Sequence, residues 1–180
     1  MSALPVRARA VLPAALALLA AVSATAAGPP AASDPYAPLR FLTGHCWKGT
    51  FSDGTRTDEH CFSRIYGGRF VRDEHTVHRS DGQPDAFGES IYVWNSLTRQ
   101  LEYLYIESAG GFIRGTVTAE GNALLFPEAA YVEDGKSMPV RSRWQRLGDD
   151  AYEVTTEFEV EGRWLPGFTL HMLRQMRAAT

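Results

Sequence analysis

The chain has 180 residues and a hydrophobic share of 44%, enough for one domain with a substantial core. Its formal net charge is −3 at pH 7, lysine occurs only at Lys48 and Lys136, and no basic run is present. A phosphate-tracking surface is therefore excluded, and no nucleic-acid partner is expected.

Residues 1–27 read as a secretory signal peptide. Arg7 and Arg9 form a charged start, Ala10 to Val22 an apolar run, and Ala24-Thr25-Ala26 a small-residue site that places cleavage near Ala26 or Ala27. The run is short, alanine-rich and interrupted by Pro13, which argues against a membrane anchor. No second apolar segment approaches spanning length, so no stable membrane insertion is expected after signal removal, and the expected location is periplasmic or secreted. Cleavage takes away two arginines and no acid, which moves the formal charge to −5. Residues 28–38, Gly-Pro-Pro-Ala-Ala-Ser-Asp-Pro-Tyr-Ala-Pro, read as a flexible leader, and the folded domain is expected over 39–177. Pro35 to Leu42 is a candidate for a short N-terminal helical turn.

From Phe41 onward, short alternating segments are separated by turn chemistry every 8–14 residues: Asp53-Gly54, Gly67-Gly68, Asp81-Gly82, Asn95 to Arg99, Gly110-Gly111, Gly121-Asn122, Asp134-Gly135, Gly148 to Asp150 and Glu161-Gly162. Nine such signals imply about ten antiparallel strands in a meander. Tyr152, Val154, Thr156, Phe158 and Val160 alternate with Glu153, Thr155, Glu157 and Glu159, the pattern of a sheet with one face buried. Closure removes the edges of so long a meander, so the reading is all-β: a single up-and-down barrel, wide enough for one small ligand. Even, short turns speak against the Greek-key connections of a sandwich.

The two cysteines, Cys46 and Cys61, lie symmetrically about Asp53-Gly54. A two-residue type I′ turn there sets them directly opposite each other across the first hairpin, at a separation a disulfide accepts. A redox-active or metal-binding pair is the rival reading, and the spacing fits neither.

The segments Phe41 to Phe51, Ile65 to Val77, Gly88 to Ile106 and Trp164 to Gln175 resemble a group of bacterial calycin-like, lipocalin-like domains of mostly unknown function, with nitrobindin-like barrels as distant neighbours. The resemblance covers residues 39–175 and implies the barrel fold; fold analogy does not carry a function. Two residues separate Gly44 from Trp47 where that group has one, so Trp47 is not assigned the role of plugging the barrel base. The turn at Tyr66-Gly67-Gly68 departs from the group's Leu-Gly-Gly.

The candidate pocket-lining residues are Trp47, Phe51, His60, Phe62, Trp94, Tyr103, Trp144 and Phe168, with Arg72, Glu74 or Arg143 as polar handles. Two Asp-Glu-His tripeptides, Asp58 to His60 and Asp73 to His75, fall on neighbouring strands; they form either an interior carboxylate–imidazole cluster or, more commonly, two solvated faces. His75 and His78 lie three apart on one strand and point to opposite faces. His171 lies roughly where the nitrobindin-like resemblance implies a haem ligand, but Leu170 and Met172 compete for the inward face, so it is expected outside. No catalytic motif is recognised. The sequence therefore points to an exported, non-catalytic binder, carrier or sensor of a small apolar molecule. The alternatives are a structural or protein-binding module with a filled barrel, or a haem protein using His171. No haem and no stoichiometric metal are expected, and nothing in the sequence specifies an oligomeric state.

Overall fold

The computed structural model describes residues 34–176. The signal-peptide reading, residues 28–33 of the leader and residue 177 lie outside the described residues. Ten antiparallel strands, β1 (Cys46–Thr50), β2 (Arg56–Ile65), β3 (Phe70–Arg79), β4 (Ala86–Asn95), β5 (Gln100–Glu107), β6 (Phe112–Glu120), β7 (Ala123–Glu133), β8 (Lys136–Arg146), β9 (Ala151–Val160) and β10 (Arg163–Arg174), form a closed barrel. Each strand pairs with its sequence neighbours, and β1 closes on β10 through Trp47 opposite Arg174 and Lys48 opposite Leu173.

The first hairpin has the expected register, with Cys46 opposite Cys61 and Thr50 opposite Thr57. Its turn differs from expectation. Only Gly54 has positive φ, at 69°, and residues 52–55 make a four-residue connection closed by Phe51 N–H donating to the Arg56 carbonyl at 3.0 Å. The Asp53 carboxylate accepts from the Thr55 N–H at 2.9 Å and pairs with Arg56, which favours the longer loop over a type I′ turn. Two- and four-residue loops centred on the same point give one register. The cysteines are bonded on the outer face, with Cα atoms 4.0 Å apart.

One end of the barrel is solid. Trp47 is fully buried against Phe41 and Tyr152, with ring centroids at 6.2 and 5.1 Å in edge-on geometry, and its indole N–H donates to the Leu42 carbonyl at 3.3 Å. The segment before β1 caps the same end with a short 3₁₀ turn, Ala37–Leu39, whose Leu39 is buried together with Leu42. With two residues between Gly44 and Trp47, the tryptophan takes a plugging position. The leader reading is corrected for residues 34–38. Tyr36 is 4% exposed, donates to the Arg69 carbonyl at 2.6 Å, accepts from the Trp94 N–H at 3.0 Å, and carries the Arg64 guanidinium over its ring. One aromatic side chain with two backbone partners outweighs the Pro/Ala-rich composition around it.

Without reduction the protein should contain no alkylatable thiol by mass spectrometry. Reduction should lower its unfolding free energy by about 3 kcal/mol, since the bond closes a 15-residue separation. Two alkylated cysteines in a non-reduced sample contradict the pairing.

Candidate functional site

Beyond the plug the barrel is hollow. A cavity of about 310 Å³ has Tyr103, Ile113, Phe126, Trp144, Val154, Phe168 and Leu170 among its apolar and aromatic lining. Asp58, His60, Asp73, His75, Ser90, Tyr92 and Tyr105 line it from β2 to β5, and the polar side chains of Tyr131, Arg141, Ser142 and Thr156 from β7 to β9. Phe126 packs on Trp144 at a centroid distance of 4.6 Å and on Tyr103 at 5.4 Å.

The aspartates and histidines of this lining come from the repeated tripeptide. Strand alternation turns Asp58 and His60 of β2 inward with Glu59 between them facing out, and does the same for Asp73, Glu74 and His75 of β3. The β2–β3 register sets His60 directly opposite His75, so Asp58 becomes the diagonal neighbour of His75, and Asp73 that of His60. The two imidazoles stack at 4.8 Å. His60 Nδ1 meets Asp73 Oδ2 at 2.8 Å, and its Nε2 meets Asp58 Oδ2 at 3.2 Å. His75 Nδ1 meets Asp58 Oδ1 at 3.1 Å, and its Nε2 meets the Tyr105 hydroxyl at 3.1 Å. A continuous chain runs Asp73, His60, Asp58, His75, Tyr105. The interior reading of the tripeptides is the one the structure holds.

The charge state follows from this geometry. Both His60 nitrogens face carboxylates, so both donate, and the ring is an imidazolium. Burial acts to lower its pKa, but the charges of Asp73 and Asp58 and their hydrogen bonds outweigh burial and hold it well above 6.5. Burial acts to raise Asp58, yet the His60 charge and the hydrogen bonds from His60 and His75 keep it well below 3.8. Burial also pushes Tyr103 up to about 12 and raises Tyr105 further, so both phenols stay neutral and can donate. Asp73 is 2% exposed, and its Oδ1 has no partner among the described residues.

Backbone sterics make room for the side chains. His75 sits opposite Gly88, and a Cβ on Gly88 would lie 2.1 Å from His75 Nε2. Tyr103 likewise lies over Gly115, where a Cβ would come within 2.7 Å of its ring. In both places a ring covers the face of a strand glycine.

Of the sequence-derived pocket residues, His60, Tyr103, Trp144 and Phe168 line the cavity. Trp47 belongs to the plug, Phe62 is 2% exposed beneath His60, and Trp94 packs against the same core. Phe51 leaves β1 at the far end, packed on Phe168 and under the Arg56 guanidinium. Arg72, Glu74 and Arg143 are corrected: they lie outside, with Arg72 pairing to Glu74 at 2.7 Å and Arg143 bonded to Gln145, because Asp73 and Trp144 take the inward positions. His171 is exposed on the outer face opposite Glu153, away from the cavity, so the haem alternative built on it is corrected as well. His78 points outward to Asp85 at 2.9 Å. Asp58, Asp73, His75 and Tyr105 were not in the pocket set. The signal for the first three was the tripeptide repeat read at period 2 across an antiparallel pair, which Tyr105 on β5 does not share.

No family model matches this chain, and no curated protein matches it.

His60 has a raised folded pKa, so its contribution is complete below about pH 6.5 and is lost as pH rises through the folded value. Asp58, with a lowered folded pKa, contributes above about pH 3.8 and loses that contribution as pH falls. In EDTA-containing buffer, unfolding free energy should fall on the alkaline side by about 1.4 kcal/mol per pH unit. His60→Gln should flatten that limb; an unchanged limb contradicts the charged His60. Separately, Gly88→Ala should destabilise by about 1–3 kcal/mol in urea titrations, because His75 must leave its two partners. An unaltered midpoint contradicts that placement.

Proposed function

We propose that this chain is an exported calycin-like barrel that holds a small, mostly apolar molecule in its cavity, as a carrier or sensor without chemistry of its own. The observation that carries this reading is the division of the barrel into a solid end and a hollow of about 310 Å³, a volume within the ordinary range of small-ligand sites. Aromatic and aliphatic side chains form most of its wall; the carboxylate–imidazole–phenol chain lies on β2, β3 and β5, and Tyr131, Arg141, Ser142 and Thr156 add polar groups on β7 to β9. The occupant that fits has an apolar body and one polar end, which meets the neutral phenols of Tyr103 and Tyr105 and the carboxylate–imidazole chain behind them. The Cys46–Cys61 bond supports export, since such bonds persist in oxidising compartments.

The alternative of a structural or protein-binding module gains support from Phe87, Ile106 and Phe112, which are exposed on the outer face of β4 to β6. It requires a filled interior, and the cavity argues against that.

A thermal-shift screen of fatty acids, aromatic acids and aromatic alcohols, with native mass spectrometry of the purified protein, tests the reading. A matching compound at a hundred times its Kd should stabilise by about 2.7 kcal/mol. Ile113→Trp, which projects an indole into the cavity, should abolish the gain while leaving the unliganded protein folded. If no compound stabilises and no small molecule copurifies, the carrier reading fails.

A further inference from the structure

We propose that Asp58, His60 and His75 bind one divalent transition-metal ion of the zinc type, with Asp73 and Tyr105 as the groups that orient the two imidazoles. The proposal stands on these five residues and does not depend on what occupies the cavity.

The donor atoms are already close. A carboxylate oxygen of Asp58 and one ring nitrogen from each of His60 and His75 lie within 4.8 Å of one another. His60 Nε2 stands 3.2 Å from one Asp58 oxygen, Oδ2, and His75 Nδ1 stands 3.1 Å from the other, Oδ1. In a tetrahedral site with bonds of about 2.0–2.1 Å, neighbouring ligand atoms stand about 3.3 Å apart. An ion can therefore replace the hydrogen bonds with small side-chain shifts and no change of strand register.

The surroundings carry the second half of the argument. A metal-ligating imidazole holds its remaining ring nitrogen against a carboxylate, carbonyl or hydroxyl, which fixes its orientation. Both histidines have that partner: His60 Nδ1 on Asp73 at 2.8 Å and His75 Nε2 on the Tyr105 hydroxyl at 3.1 Å. Asp73, deeply buried with its Oδ1 unpartnered among the described residues and its Oδ2 on His60, brings a second negative charge beside that of Asp58. With both imidazoles neutral, the two carboxylates are balanced by one dication. On binding, His60 releases its Nε2 proton to solvent and keeps the Nδ1 proton on Asp73. His75 moves its single proton from Nδ1 to Nε2, where it donates to the Tyr105 oxygen.

The donor set chooses the ion class. Two imidazoles and one carboxylate suit zinc-type ions, whereas calcium and magnesium want oxygen ligands throughout. The cysteines are bonded to each other and offer no thiolate. Three protein ligands leave a fourth position, and since Asp58, His60 and His75 all line the cavity, that position faces the hollow. The sequence-based expectation of no metal sought ligand spacing along single strands. The ligands come instead from i and i+2 on β2 and from the residue opposite on β3.

The test is titration of the EDTA-stripped, dialysed protein with zinc chloride by calorimetry, and with cobalt(II) by visible absorption. Wild type should take up one equivalent of zinc, and cobalt should give the intense visible bands of a four-coordinate centre. Asp58→Asn and His75→Ala, confirmed folded by far-UV circular dichroism, should abolish uptake. Asp73→Asn should weaken it about 10–100-fold at unchanged stoichiometry. Glu59→Gln and Glu74→Gln, the outward acids of the same tripeptides, should leave it unaltered. Absence of saturable one-to-one uptake by wild type overturns the proposal without reference to any variant. So does uptake that survives the His60→Ala/His75→Ala double substitution, or that falls with the outward glutamates.

Discussion

Asp58 and Asp73 lie inside a β-barrel with almost no access to water, and much of the remaining architecture answers to that. Removing an ionised carboxylate from water costs several kcal/mol unless opposite charge and hydrogen bonds stand in for the lost hydration. The His60 imidazolium between them supplies the charge, and His75 supplies a further donor to Asp58. Those contacts exist only if β2 and β3 pair with His60 opposite His75. A slip of one residue would set His60 opposite Glu74 or Thr76, so one strand's aspartate and histidine would face out while the other's stayed in, and the chain would be broken. The network therefore enforces a register that hydrophobic patterning on these two strands specifies weakly.

The same barrel does two incompatible things at different heights. At the end where the chain enters, Trp47, Tyr152, Leu39 and Leu42 fill the section completely. Midway, the inward positions opposite His75 and Tyr103 are the glycines Gly88 and Gly115, and side-chain volume on that part of the wall falls. Space is gained where a ring lies across a glycine rather than projecting to meet another side chain. Dense packing at one end supplies the stability that the hollow part forgoes, a common arrangement in barrels that keep an internal cavity.

Strand number, order and closure were legible because turn residues recur at short intervals and no helical period competes with them. The first hairpin's register was legible from the cysteines even though its turn type was not, because Asp53 bonds to Thr55 and Arg56 and draws two more residues into the loop. Height along the barrel was not legible. Alternation says which residues face inward but not whether they meet the plug or the hollow, so it does not separate Trp47, Phe62 and Trp94 from Trp144 and Tyr103. In Arg72-Asp73-Glu74-His75 every residue is polar, and hydropathy gives no face assignment. The register across to Tyr92 and Phe62 decides it, and that is tertiary information. Tyr36 was hidden in the same way, since its partners at Arg69 and Trp94 lie more than thirty residues away.

The closing seam of the barrel has a mechanical asymmetry. β1 meets β10 over two residue pairs but meets β2 over five, and the second contact is also covalently fastened. When the cylinder breathes, it should part along the β1–β10 line and swing the first hairpin outward as one flap. That flap carries Trp47 from the floor, so an opening there would unseat the plug, while Asp58 and His60 on β2 stay paired to β3 over ten residue pairs and the polar chain persists. The disulfide then acts less as a general fastening than as the device that selects which edge of the first strand yields.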